Sequence, residues 1–168
     1  LGIVFTVYAA FSFSFAKKND KDQAIQIKPL TGTFRKGPYM IYPGHPNQMK
    51  ILWQLTANDT CAIEWGLDTT YSAGNSSTVE YGSDHQHSFN IDNLQPGQLY
   101  YYRVSNDEYI KSGSFRSAPD SNSTDLKFIA YGDTRSNPAA HDQVASRILN
   151  TYSNDPGYQS ILVSVGDL

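Results

Sequence analysis

The sequence predicts an all-β sandwich followed by a single β-α-β unit, and three observations lead to this prediction. Apolar residues alternate with polar ones in short runs over residues 28–118, a period of two that buries one face of each strand. Turn residues separate these runs roughly every ten residues, which is the spacing of a two-sheet sandwich. From residue 126 onward, two continuous apolar runs flank a segment with helical periodicity.

The composition excludes several classes of function. The 168 residues carry 13 Lys and Arg against 16 Asp and Glu, a net charge of −3. This balance argues against a basic surface for nucleic acids, and we expect no nucleic-acid partner. The single cysteine, Cys61, rules out an internal disulfide framework and a cysteine-based zinc cluster. The oligomeric state stays open.

The first 16 residues form an uncharged apolar run, LGIVFTVYAAFSFSFA, and KKND follows directly. The run is shorter than the roughly 20 residues of a membrane-spanning helix. The small residues Ser14 and Ala16 fit a signal-peptidase cut after Ala16. The sequence therefore predicts a signal-peptide remnant over residues 1–16 and a secreted, periplasmic or cell-surface protein without a membrane span after cleavage. A buried strand or a membrane anchor is the alternative.

The alternating runs define the inward faces of the predicted sandwich strands. Two tryptophans on these faces are expected in the core rather than as ligand platforms, and Cys61 is expected to be an inert small apolar residue. His85 and His87 share one phase of a predicted strand and suit a metal-binding pair, but no third ligand is evident nearby. The inward-facing residues are Ile51, Trp53, Leu55, Cys61, Ile63, Trp65, Phe89, Ile91, Tyr100, Tyr102 and Val104.

One turn refines the type of sandwich. The segment LQPGQLY opens a strand with Tyr100 six residues after Leu94. A tyrosine at this place reaches back to the backbone of the preceding loop, as in the tyrosine corner of immunoglobulin-like sandwiches. Together with Trp53 on an early strand, this turn makes residues 28–119 resemble a fibronectin type III domain.

Residues 120–124 have the composition of a linker, and the β-α-β unit follows over residues 125–168. The run 126–131 is expected to be a strand covered on both faces. Asn137 is a good helix N-cap and Pro138 suits the first helical position. The segment 154–157 ends the helix, and the run 161–165 forms a second buried strand. A right-handed crossover makes the two strands parallel.

Asp133 and Asp167 each follow a glycine at the carboxyl end of a predicted strand. Ligands of open α/β sheets bind at that edge. Neighbouring strands lie about 5 Å apart, so the two carboxylates repel unless a proton or a cation lies between them. Carboxylate oxygens suit hard divalent or trivalent metal ions. The sequence therefore predicts a metal site with Asp133 and Asp167 as ligands; the alternative is a pair of solvated strand-end aspartates.

Two sets of motifs resemble known families. FIAYGDTR and ILVSVGDL are similar to the first two sequence blocks of the calcineurin-like metallophosphoesterases. KGPYMIY, ILWQ, IEWG, HQHSFNIDNLQPGQLYYYRV and SGSFRSAP resemble the N-terminal fibronectin-like domain of purple acid phosphatases. The resemblance implies that Asp133 binds one metal and that Asp167 bridges two. The ions would be Fe together with Zn, Mn or Fe, activating a hydroxide that attacks a phosphomonoester.

Arg135 departs from the family pattern. At this position, two residues after the first Asp, many members of the family have His and purple acid phosphatases commonly have Gly. A guanidinium does not bind a metal, so Arg135 either contacts the phosphate ester or pairs with a carboxylate. His141, in the first helical turn, either supports the metal ligands or is an ordinary exposed helix residue. The resemblance places the remaining ligands and the catalytic residues beyond residue 168, and these 168 residues alone are then expected to be inactive.

Other functions remain open on the sequence alone. A phosphodiesterase or a nucleotidase uses the same metal core, and the shape of the substrate pocket decides between them. A non-enzymatic, fibronectin III-like binding module joined to an unrelated α/β unit is a further alternative. An acidic pair of the response-regulator type fits less well, because a signal peptide and a fibronectin-like domain do not suit it.

Overall fold

The structure, a computed structural model, describes residues 32–132 and 137–166. The predicted signal peptide lies outside these ranges. Within them, the helix is neither long nor apolar enough to cross a membrane. The elements, in chain order, are β1 (Phe34–Ile41), β2 (Met49–Leu55), β3 (Cys61–Gly66), β4 (Gly74–Thr78), β5 (Gln86–Ile91), β6 (Leu99–Ser105), β7 (Ile110–Arg116), β8 (Lys127–Tyr131), α1 (Pro138–Asn154) and β9 (Tyr158–Ser164).

The first seven strands form two antiparallel sheets. One sheet has the order β1-β2-β5 and the other has the order β4-β3-β6-β7. Every pairing within them is antiparallel. Two such sheets packed face to face are the arrangement of immunoglobulin-like domains, and the predicted sandwich is confirmed.

The core lies between the two sheets and uses the inward faces that the alternation predicts. Phe115 on β7 is fully buried, and its ring stacks on Tyr100 with centroids 5.6 Å apart. Trp65 is only partly buried and packs at the margin of the core against Phe89, 5.1 Å away. The buried apolar residues are Met49, Ile51, Trp53, Leu55, Cys61, Ile63, Ile91, Leu94, Tyr100, Tyr102, Val104 and Phe115.

The predicted tyrosine corner is present before β6. The hydroxyl of Tyr100 accepts a hydrogen bond from the backbone N–H of Gln95 at 3.0 Å. The same loop is also held by Ser117, the residue that follows β7, because its hydroxyl donates to the carbonyl of Gln95 at 2.5 Å and accepts from the N–H of Gln98 at 2.9 Å. The loop that opens β6 is therefore fixed on two sides.

Two glycines of the four-stranded sheet lie beneath aromatic rings on neighbouring strands. Gly74 pairs with Trp65, and Gly113 pairs with Tyr102. A Cβ atom at position 113 would meet the Tyr102 hydroxyl at 2.5 Å, and one at position 74 would overlap the Trp65 ring. Glycine is required at both places because the ring occupies the space of a side chain.

The β-α-β unit is also present. β8 and β9 pair in parallel, and α1 connects them. Asn137 caps the helix, accepting from the N–H of Ala140 at 3.2 Å, and Pro138 is its first residue, as expected. The expectation that both strands are covered on both faces is wrong for the described residues: Phe128 on β8 is 48% exposed and Leu162 on β9 is 42% exposed. The physical reason is that α1 packs on only one face of this two-stranded sheet.

One hydrogen bond ties the sandwich directly to the β-α-β unit. The backbone N–H of Arg116, at the end of β7, donates to the hydroxyl of Ser160 on β9 at 2.8 Å. β7 is an edge strand of the four-stranded sheet. The second unit therefore lies against an edge of the sandwich.

Candidate functional site

The carboxyl ends of β8 and β9 lie side by side. Tyr131, the last residue of β8, pairs with Ser164, the last residue of β9. The pairing continues one residue further, because the N–H of Val165 donates to the carbonyl of Tyr131 at 2.9 Å. In open α/β sheets this edge is where ligands bind.

The two glycines that follow the strands are in contact. A Cβ atom at Gly132 would lie 2.9 Å from Val165 Cγ2 and 3.0 Å from the carbonyl oxygen of Gly166. Gly166 has a φ of 118°, in the region that favours glycine. The sequence pattern predicts a tight turn at each glycine. The contact between the two turns is a further feature, which only the strand register reveals.

Asp133, Arg135 and Asp167 lie outside the described residues. The predictions that Asp133 and Asp167 bind metal and that Arg135 contacts substrate or a carboxylate therefore stay predictions. In the chain, Asp133 follows Gly132 and Asp167 follows Gly166 directly. Among the residues that the structure describes, no three His, Cys, Asp or Glu side chains are grouped to hold a metal ion.

His141 lies at the same edge of the sheet as the two glycines. It is exposed on α1, and its ring stacks on that of Tyr131 with centroids 6.5 Å apart and an interplanar angle of 28°. Tyr131 stands two residues before Asp133 in the chain. The two rings border a pocket of about 280 Å³, lined by Tyr131, His141, Val144, Ala145, Ile148, Leu149 and Leu162. Its lining is mostly apolar, so it belongs to the helix–sheet interface.

A larger groove lies at the opposite end of β9. Its volume is about 510 Å³, and Tyr158 and Ser160 line it together with Leu99 and Arg116 of the sandwich. Tyr158 and Ser160 belong to the amino-terminal half of β9. Gly132 and Gly166 lie at the other end of this sheet, after the carboxyl ends of β8 and β9. The larger cavity and the site predicted from the sequence therefore lie at different places, and we place the candidate site at the strand ends, where Gly132 approaches Gly166.

Comparison with known families identifies the sandwich. Residues 37–118 match the family described as purple acid phosphatase, N-terminal domain. The sandwich is a purple acid phosphatase N-terminal domain. No curated protein matches the chain.

The solved structures that are similar to this chain include the following two. One is purple acid phosphatase PPD1 from yellow lupin (Lupinus luteus) seeds, with 13% identity and a TM-score of 0.44, covering 58% of this chain and 22% of that one. The other is the sensor domain of the anti-sigma factor RsgI4 in Pseudobacteroides cellulosolvens, with 11% identity and a TM-score of 0.39, covering 51% of this chain and 95% of that one. The alignment thus spans less than a quarter of the lupin protein.

Within the purple acid phosphatase N-terminal domain, His85 and His87 lie in different surroundings. His85 precedes β5 with a φ of 51°, and its Nδ1 lies 2.6 Å from Glu80 Oε2. His87 is fully buried, stacked on Trp53 with centroids 5.4 Å apart, and its Nδ1 lies 3.2 Å from Thr78 Oγ1. The prediction that the two share a strand phase is wrong, because the left-handed residue His85 breaks the alternation.

Cys61 of the same domain is buried, as predicted, and is the free cysteine. Its Sγ accepts a hydrogen bond from the indole N–H of Trp53 at 3.3 Å. Burial raises the pKa of the Cys61 thiol above its usual value, with the Trp53 bond acting in the opposite direction. The thiol is therefore protonated and unreactive in the closed sandwich.

Proposed function

We propose that this chain is the amino-terminal part of an exported, metal-dependent phosphatase that hydrolyses phosphomonoesters. One observation carries the proposal, the order of the two units. A purple acid phosphatase N-terminal domain is followed by a β-α-β unit whose two strands end in contacting glycines, each directly before an aspartate. Residues 125–168 are then the start of a calcineurin-like phosphoesterase domain.

We assign Asp133 and Asp167 as the metal ligands that this part of the chain supplies. The close approach of Gly132 to Gly166 supports the assignment, because a side chain at Gly132 would meet Val165 and the carbonyl of Gly166 and push the two strand ends apart. Carboxylates carried by adjacent strand ends favour a cation between them. Two metal ions, Fe together with Zn, Mn or Fe, would activate water and polarise the phosphoryl group.

Arg135 is assigned to the phosphate ester. Its guanidinium keeps its charge at every relevant pH and presents several N–H donors, which match the oxygens of a phosphoryl group. We expect Arg135→Ala to raise KM more than it lowers kcat, because the interaction is made with the substrate as well as with the transition state. Unchanged KM and unchanged kcat would instead assign Arg135 to a structural ion pair.

The deciding experiment uses the protein encoded by the whole reading frame, reconstituted with Fe and Zn or Mn. Hydrolysis of p-nitrophenyl phosphate and bound metal are measured for the wild type, Asp133→Asn and Asp167→Asn. Loss of a residue that only orients a ligand costs about 10–100-fold, so loss of either ligand is expected to cost at least that much and to reduce bound metal. Asp142→Asn, an exposed change on α1, is the matched control and should retain wild-type activity.

Each alternative has its own outcome. No hydrolysis of any phosphate ester by the metal-loaded wild type would overturn the proposal and favour a binding module. Preferred hydrolysis of diesters or nucleotides would replace phosphomonoesters as the substrate class. Full activity in both aspartate variants would refute the ligand assignment. The chain of residues 1–168, assayed alongside, is expected to be inactive.

A further inference from the structure

His87 is a buried titratable group that the proposed phosphatase chemistry does not use. Its side chain has no exposed surface, and its ring lies parallel to Trp53, with an interplanar angle of 9°. Nδ1 lies 3.2 Å from the hydroxyl of Thr78. Within residues 32–132 and 137–166, Nε2 finds no hydrogen-bond partner.

This geometry favours the neutral ring. The hydroxyl of Thr78 also lies within 3.4 Å of the carbonyl of Cys61, to which it donates. A neutral imidazole has one N–H and the Thr78 oxygen is able to accept it, whereas an imidazolium has two N–H groups. Protonation of His87 therefore creates a buried charge and leaves the N–H on Nε2 without an acceptor, and both are costly.

The charged groups around His87 are engaged elsewhere. Both oxygens of Glu80 are bonded, to Asn58 Nδ2 at 2.8 Å and to His85 Nδ1 at 2.6 Å. The Asp59 carboxylate accepts three hydrogen bonds, from the backbone N–H groups of Gly32 and Thr60 and from the side-chain amide of Asn106. Burial is the largest influence and lowers the pKa of His87; Glu80 and Asp59 act against it, and His85 adds to it.

We propose that His87 acts as an acid-sensitive switch. Its protonation separates the His87 ring from Trp53 and Thr78, opens this part of the sandwich core and exposes the Cys61 thiol. The connection to Cys61 is direct, because the Trp53 indole both stacks on His87 and donates to Cys61 Sγ. Cys61 is only 1% exposed in the sandwich, and displacing the Trp53 indole gives solvent access to its thiol.

The sign follows from proton linkage. An open or unfolded His87 has a pKa of about 6.5, and in the closed sandwich its pKa is lower. The open state therefore binds more protons. The stabilisation of the closed state is fully present above about pH 6.5 and is lost as the pH falls from there toward the lowered value.

The test is the rate at which a soluble aromatic disulfide labels Cys61, the single cysteine of the chain. The rate at each pH is divided by the rate for a short cysteine peptide, which removes the change in thiolate fraction. Between about pH 7.5 and about pH 5 the corrected rate of the wild type is expected to rise, by up to about tenfold for each pH unit between the free value and the lowered pKa of His87.

Two variants separate His87 from other groups. His87→Phe keeps a flat ring on Trp53 but cannot be protonated, and the rise is expected to disappear. His45→Gln alters an exposed histidine and should keep the wild-type profile. A flat corrected rate in the wild type, or a rise that persists in His87→Phe, overturns the proposal. If His87→Phe does not fold, the wild-type profile still decides, together with the His87 ring titration followed by NMR.

Discussion

The tyrosine corner is the feature whose energetic contribution the structure defines most sharply. Tyr100→Phe removes one oxygen atom and keeps the ring on Phe115. The N–H of Gln95 then loses its acceptor at 3.0 Å. An unsatisfied buried donor costs about 1–3 kcal/mol, and we expect about 1–2 kcal/mol because this N–H is only partly buried. For a domain of 60–100 residues, that corresponds to a Tm about 4–16 °C lower.

The assay is urea unfolding at about pH 8, where His87 is neutral, followed by tryptophan fluorescence and repeated as a thermal scan. Tyr101→Phe is the matched control: it is the next residue of β6, it is half-exposed on the outer face, and it should stay within about 0.5 kcal/mol of the wild type. The slope of the transition is expected to be unchanged. Equal stability of Tyr100→Phe and the wild type, or an equal loss in the two variants, would refute the reasoning.

Two further predictions follow from single contacts. Gly74→Ala is expected to lower the free energy of unfolding by about 1–3 kcal/mol, because the added Cβ would overlap the Trp65 ring. Gly37→Ala is the control, since its Cβ would meet open space and the free energy of unfolding should hardly change. Urea unfolding of both variants measures the difference, and equal losses would count against the ring contact. The ammonium of Lys127, 2.8 Å from Asp155, lowers the pKa of that carboxyl. The ion pair therefore stabilises the folded state above the usual pKa of Asp, and this stabilisation is lost as the pH falls through the lowered pKa. Lys127→Met should raise the Asp155 midpoint in a carboxyl NMR titration, and an unmoved midpoint would contradict the ion pair.

Local signals predicted the fold well. The corner at Tyr100 and the helix start at Asn137 and Pro138 each depend on a few adjacent residues, so the chain pattern alone identifies them. β4 is different, because its sequence GNSST has no apolar alternation. Its place is set by pairing with β3 and by the fit of Gly74 beneath Trp65, which are contacts between two strands and leave no pattern within the β4 sequence itself.

The candidate site was predictable to the level of the strand ends. Each Gly-Asp motif indicates a tight turn after a strand, and parallel pairing brings the two turns to one edge. The contact between Gly132 and Gly166 depends on the register of two strands and has no local signal. The shared strand phase predicted for His85 and His87 is wrong for a similar reason, because a period of two carries no information about the positive φ of His85.

The bond between Arg116 and Ser160 has a consequence for the order of synthesis. The N–H of Arg116 belongs to an edge strand, and uncovered edge N–H groups invite pairing with another chain. Because the sandwich leaves the ribosome before Ser160 does, its edge is bare until the second unit folds. The nascent sandwich is therefore most prone to aggregate in that interval, and the β-α-β unit that follows protects the domain synthesised before it.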